Sequence, residues 1–224
     1  GVLVDRVNVG GSKSGQQFTL LMNHELGAGA GVGRGHGSQG AFVSRWTIDS
    51  RTLKVLKGQD LVTAANDVHT WDPATHGYLR GTTAWQRFCS GDLAKESAFY
   101  PKGNGTKQRI YLNGEETTTV VNNQVVDQGR PFAWIATGPH AGEVWQVPRL
   151  GRMAYENSVA CPYAQEKTIV MLLDDSALST AGVITNSVPS EVYVYIGEKE
   201  KNGHPVVQAG LTNGALYGVK ITVG

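Results

Sequence analysis

No stretch of this chain gathers enough Ala, Leu, Glu and Lys to build a sizeable helix, and that constrains its fold most. Short runs rich in β-branched and aromatic residues recur instead: Phe18 to Met22, Ala41 to Ile48, Arg109 to Leu112, Phe132 to Ala136, Glu143 to Val147, Thr168 to Leu173, Glu191 to Ile196 and Leu216 to Val223. Turn dipeptides fall between or beside them, among them Asn113-Gly114, Gly138-Pro139, Asn202-Gly203 and Asn213-Gly214. The 29 glycines in 224 residues suit many short strands joined by tight turns. Only Gln59 to Asn66 and Gly91 to Ser97 have the makings of short helices. The pattern predicts an all-β fold, read as a single domain over residues 1–224.

Charge narrows the partners. Lys and Arg total 20 against 19 for Asp and Glu, a net charge of +1, which argues for neither nucleic acid nor a membrane surface. No run of about 18 apolar residues exists, so no membrane span is expected. The chain opens on Gly1 rather than Met, which fits a mature or trimmed product whose export signal has gone.

Four predicted strands end in polar or acidic tips: "FTLLMNHE", "RIYLNGEE", "TIVMLLDDS" and "VYVYIGEK". Glu115 and Glu116 stand side by side at the second tip, Asp174 and Asp175 at the third, and Glu156 precedes Asn157 in "MAYENSV". Adjacent carboxylates repel unless something positive lies between them. Hard cations such as calcium take 6–8 oxygen ligands from carboxylates, amide carbonyls and water, and these tips supply such oxygens. Singly, each acid reads as a turn cap or a solvated charge; together they point to a shared metal site. The tips are unevenly spaced, so propeller blades of ~40–50 residues and a β-sandwich both fit the strand pattern.

Other chemistries lack their motifs. The six histidines, at 24, 36, 69, 76, 140 and 204, are scattered, with no His-Glu-x-x-His or Cys-x-x-Cys spacing. A Gly-x-Ser-x-Gly nucleophile elbow is absent. The stretch "GAGAGVGRGHGSQG", Gly27 to Gly40, resembles a phosphate cradle but leads to a strand rather than a helix, so it reads as a surface loop. Cys89 and Cys161 leave open a disulfide, two buried thiols, or a thiolate on a transition metal such as iron.

The segments "LLMNHELG", "FCSGDL", "RIYLNGEE", the block from Gly129 to Ser176 and "SEVYVYIGEKEKNGHPVVQAGLTNGALYGVKI" together resemble the PhoX-type alkaline phosphatases, in order, over most of residues 18–221. The resemblance implies a β-propeller with its active site at one end of the central channel. It also implies exported, secreted or periplasmic, phosphomonoesterase activity on small phosphate esters, with calcium and iron held by carboxylates and one cysteine. Carried over residue by residue, Glu25, Glu116 and Glu156 become the catalytic, metal-holding candidates and Cys89 the thiolate. Glu115, Asn157, Asp174 and Asp175 complete the metal-ligand candidates. Arg34, Arg87 and Arg109 are candidates for the phosphate fork.

Two departures from the family stand out. Thr83-Ala84-Trp85 precedes Cys89, whereas the family's cysteine precedes a Thr-Pro-Trp-Gly run, which puts the iron site in question. The chain is also shorter than family enzymes, so an incomplete ring is expected, part of a larger propeller completed by a second chain or further sequence. Two rivals stand beside the enzyme. One is a non-catalytic, calcium-stabilised secreted module serving as a surface or filament subunit. The other is a β-sandwich binding sugars on Trp71, Trp85 or Trp134.

Overall fold

The computed structural model describes residues 2–3, 16–81, 84–101, 103–122, 124–175, 178–180, 183–185, 190–220 and 222. The first sheet is an antiparallel meander of β1 (Val2–Leu3), β2 (Gln17–His24), β3 (Phe42–Asp49) and β4 (Val55–Asp60), in that order. There follow β5 (Val68–Asp72), β6 (Gly77–Arg80), β7 (Phe88–Leu93), the single helical turn α1 (Glu96–Phe99) and β8 (Ile110–Glu115). The hairpin β9 (Thr118–Val121) and β10 (Gln124–Gln128) leads to β11 (Pro131–Ile135) and β12 (Val144–Gln146). Strands β7, β8, β11 and β12 form a second antiparallel meander, extended on its outer edge by β5, which runs parallel to β12, and by β6. The last meander joins β13 (Tyr155–Ala160) and β14 (Lys167–Asp174) to β17 (Val192–Glu198) and β18 (Ala215–Gly218). A small hairpin, β15 (Leu178–Thr180) with β16 (Val183–Thr185), and the turn of helix α2 (Pro205–Gln208) are inserted in it.

The protein is therefore all-β, with blade-like sheets side by side and no closed sheet among the described residues. β2 packs against β7, and β7 and β8 against β13, so neighbouring units meet through these strands. Side-by-side antiparallel meanders that form no closed sheet among the described residues are propeller-like. All eight predicted runs lie on strands, although the last ends at Gly218, and Ile221 and Val223 fall outside the described residues. Gln59 to Asn66 is instead the end of β4 and the start of a 3-10 turn, and Gly91 to Ser97 divides between β7 and α1.

Alternation along two central strands builds both cores. On β8, Ile110 and Leu112 face a cluster with Ile135, Leu150, Val170, Leu172 and Tyr195, while Tyr111 faces a second cluster with Leu21, Val43, Trp85, Phe88, Phe132 and Trp134. Successive side chains on a strand point to opposite faces, so a strand buried on both faces reads as a continuous apolar run. Each such large side chain contributes about 1.5–3 kcal/mol when fully buried. Trp85 and Trp134 are fully buried, which removes both as sugar platforms.

Asn113-Gly114, predicted as a turn, is buried inside β8. The glycine serves close packing: a Cβ there would lie 2.3 Å from Cγ of Tyr155 on β13. Its missing side chain lets β13 approach β8. Gly114→Ala is therefore expected to destabilise the fold by about 1–3 kcal/mol, the usual range for overpacking, measured by urea denaturation; an unchanged midpoint would contradict this packing.

Candidate metal centre

The acidic tips meet at one end of the sheets: Glu25, Glu116 and Asp175 follow β2, β8 and β14, and Cys89 and Glu156 stand near the starts of β7 and β13. One carboxylate oxygen each from Glu116, Glu156 and Asp175 lies within 4.8 Å of the others, and ligand atoms of Glu25, Cys89 and Glu116 form a second such group. Glu116 belongs to both. The structure thus brings together Glu25, Cys89, Glu116, Glu156 and Asp175, from five separate stretches of the chain.

Two β-bulges deliver Cys89 and Glu156. Phe88 pairs with Glu115 but Gly91 pairs with Asn113, so β7 carries one extra residue across Cys89 and Ser90. Tyr155 pairs with Asp174 but Asn157 pairs with Leu173, which places the extra residue of β13 at Glu156. A bulge breaks the ladder locally and re-aims a side chain, as these do at the mouth of the cluster. Gly91 keeps the first bulge close to its neighbour: a Cβ there would sit 2.3 Å from the Tyr111 hydroxyl.

Arg87 ties the tips. Its backbone is left-handed, with φ of 48°, a conformation that costs a side-chain-bearing residue about 1–3 kcal/mol. The surrounding hydrogen bonds hold it there: Arg87 N donates to Leu26 O at 2.8 Å, and Glu116 N donates to Arg87 O at 2.8 Å. The guanidinium donates to Glu25 at 3.1 Å and to Glu116 at 3.0 Å. Arg34 pairs with Asp60 instead, and Arg109 donates to the carbonyls of Ala94 and Leu93. Of the three candidate arginines, only Arg87 contacts the cluster.

Glu115 and Glu116 do not share a site. Strand alternation turns Glu115 to the opposite face, where the carboxylate is buried and paired with Arg130 at 2.6 Å (Nε) and 2.7 Å (Nη2). The backbone N–H groups of Gln86 and Arg130 also donate to it, so its charge is fully met inside the protein. The expectation that Glu115 ligates a metal beside Glu116 is corrected accordingly. Asp174 is also turned away, accepting from Ala154 N at 3.1 Å, and Asn157 accepts from Ser158 N at 2.9 Å. Asp174 is not among the grouped carboxylates; Asp175 is.

Cys89 is a thiol in this setting. Its Sγ donates to Glu156 at 3.5 Å, and burial, then Glu116 and Glu156, push its pKa up to about 12. Ionising it among carboxylates requires a positive charge close by. Cys161 is also a free thiol, so no disulfide restrains either residue. Thr83 of the preceding Thr-Ala-Trp run lies outside the described residues.

A buried amide network backs the bulge of β7. Asn23 accepts from the Tyr111 hydroxyl at 2.9 Å and from Asn113 at 3.0 Å, and donates to the Cys89 carbonyl at 3.2 Å. Asn113 in turn accepts from Trp134 Nε1 at 2.6 Å. The roles of Tyr111 and Asn113 in this network, and the bridging by Arg87, are not legible in the sequence alone. Their signal, polar groups inside an apolar run and an arginine next to a buried Phe88, becomes informative only once the strands are paired.

No protein-family model and no curated protein matches the sequence. Among solved structures, the chain is similar to Pseudomonas fluorescens PhoX in complex with vanadate, a transition-state analogue, at 12% identity and a TM-score of 0.48. The likeness covers 91% of this chain and 42% of that one, so this chain spans well under half of that protein's length.

The separation of the two adjacent glutamates generates a clear contrast. Glu115→Gln is expected to destabilise the fold by about 3 kcal/mol, because it strips a buried pair of one charge. Glu116→Gln should shift stability by less than about 1 kcal/mol without added metal, since the lost pair is with a half-exposed arginine. Chemical denaturation of the two variants checks this; equal losses would show that both carboxylates do the same job.

Proposed function

We propose that this chain forms the metal-holding part of an exported phosphomonoesterase of the PhoX type, acting on small phosphate esters. The observation that carries the reading is the convergence of Glu25, Cys89, Glu116, Glu156 and Asp175 at one end of the sheets. The donor set fits a cation. Four carboxylates supply the oxygens that calcium prefers, and the single thiol suits a softer ion such as iron. A bound cation would neutralise the non-bridging oxygens of a phosphate and activate a water nucleophile.

The chain's own residues have defined tasks in this reading. Glu116, central to both groups, holds the cluster together, with Glu156 and Asp175 on one side and Glu25 and Cys89 on the other. Arg87 has a guanidinium about half exposed at the rim, and once Glu25 and Glu116 turn to a cation its N–H groups are free to fork a phosphate. The bulges and the Asn23 network hold the donors in place before substrate arrives.

The test is metal removal and restoration. A ligand at a hundred-fold excess over its Kd adds ~2.7 kcal/mol to the folded state, a rise in Tm of about 5–10 °C for a chain of this size. Calcium is expected to raise Tm by this order after chelation, with a weaker response in Glu116→Gln, and p-nitrophenyl phosphate hydrolysis should require restored metal. A Tm indifferent to chelator and calcium would remove the metal-centre reading. A calcium response without turnover, with or without iron, would select the non-catalytic, calcium-stabilised module.

A further inference from the structure

A second group of ligand-type side chains lies away from the acidic tips. His140 sits in the turn between β11 and β12, Glu143 directly precedes β12, and His204 caps the N-terminus of α2. His140 Nδ1 lies 2.8 Å from Glu143 Oε1, and His204 Nε2 lies 2.8 Å from Glu143 Oε2. Ligand atoms of all three residues are within 4.8 Å of one another. His140 is 40% exposed, which leaves one side of the group open to solvent.

Independent support comes from His69 on β5. Its side chain is only 4% exposed, yet its Nε2 has no hydrogen-bond partner and faces Glu143 Oε2 at 3.5 Å. Leaving a buried ring nitrogen unpaired is unfavourable unless another group completes it. Trp145 makes the surroundings rigid: its ring stacks on His69 at 3.8 Å, lies 4.3 Å from His204, and its Nε1 donates to Glu143 at 3.1 Å.

We propose that His140, Glu143 and His204 form a second cation site, distinct from the acidic cluster, selective for a first-row transition ion such as zinc, with His69 facing the ligating carboxylate. Two imidazoles and one carboxylate with an open side match the ligands and the exposed position of zinc sites that bind water or a further ligand. His204 presents its Nε2 toward Glu143, where the ion would sit. Its Nδ1 accepts from Val206 N at 3.3 Å, so ligation through Nε2 moves the ring proton to Nδ1 and gives up that weak cap. The carboxylate exchanges two imidazole hydrogen bonds for the ion.

The experiment titrates zinc alone into the metal-stripped full chain by calorimetry, with Glu116→Gln, His140→Ala and His204→Gln beside the wild type. Expected is a site retained in Glu116→Gln and weakened at least ten-fold in His140→Ala and His204→Gln. His140 is partly exposed and outside regular structure, so H140A reports on ligation even if H204Q disturbs the α2 cap. Cobalt(II) in the same site should give visible bands without a thiolate charge-transfer band. Zinc binding unchanged in both histidine variants, absent from the wild type, or lost only in Glu116→Gln would overturn the proposal and leave a hydrogen-bonded cluster around Glu143.

Discussion

Like charges gathered at the strand ends set the terms for this structure. Carboxylates about 5 Å apart repel by ~3 kcal/mol at an effective dielectric near 20, and Glu116 has Glu156 and Asp175 on one side and Glu25 on the other. Arg87 is the guanidinium that contacts them, and it reaches only Glu25 and Glu116. One positive charge against four carboxylates leaves the cluster short of cations. The fold nevertheless spends two bulges, a left-handed arginine backbone and a buried amide network on holding these groups together. A scaffold with no need for them would let the tips splay into solvent.

The same features couple the site to the cores. Tyr111 belongs to the aromatic cluster around Trp85 and Trp134, while its hydroxyl reaches Asn23 and, through it, the carbonyl of Cys89. Tyr155 fills the opposite core and lies against Gly114, directly before the bulge that aims Glu156. Packing on either side of β8 therefore sets how far Glu116 stands from Glu156. Close-packed interiors transmit such shifts because they have few voids to absorb them.

The strands were legible in the sequence because period and composition report burial directly. The sequence also named the tips, and the residues now clustered include Glu25, Cys89, Glu116, Glu156 and Asp175. What it could not supply was side-chain direction. Glu115 and Glu116 look like one acidic pair, yet a period of two sends them to opposite faces, one to Arg130 and one to Arg87. Asp174 and Asp175 divide in the same way. Asn113-Gly114 has the composition of a turn, but its glycine answers to Tyr155, a contact 41 residues distant in sequence that no local signal carries. The histidines are scattered along the chain, and only the fold brings His204 of α2, His140 of the turn before β12 and His69 of β5 around Glu143.

Arg87 and a cation compete for the same carboxylates, and this offers the most direct test of the account. A crystal soaked in manganese, an ion that accepts the same oxygen ligands, would be examined by anomalous scattering at the strand ends. The account predicts a peak among Glu116, Glu156 and Asp175 or among Glu25, Cys89 and Glu116, with the Arg87 guanidinium displaced from at least one of its two partners. An empty map at the cluster, with Arg87 still bridging Glu25 and Glu116, would contradict it.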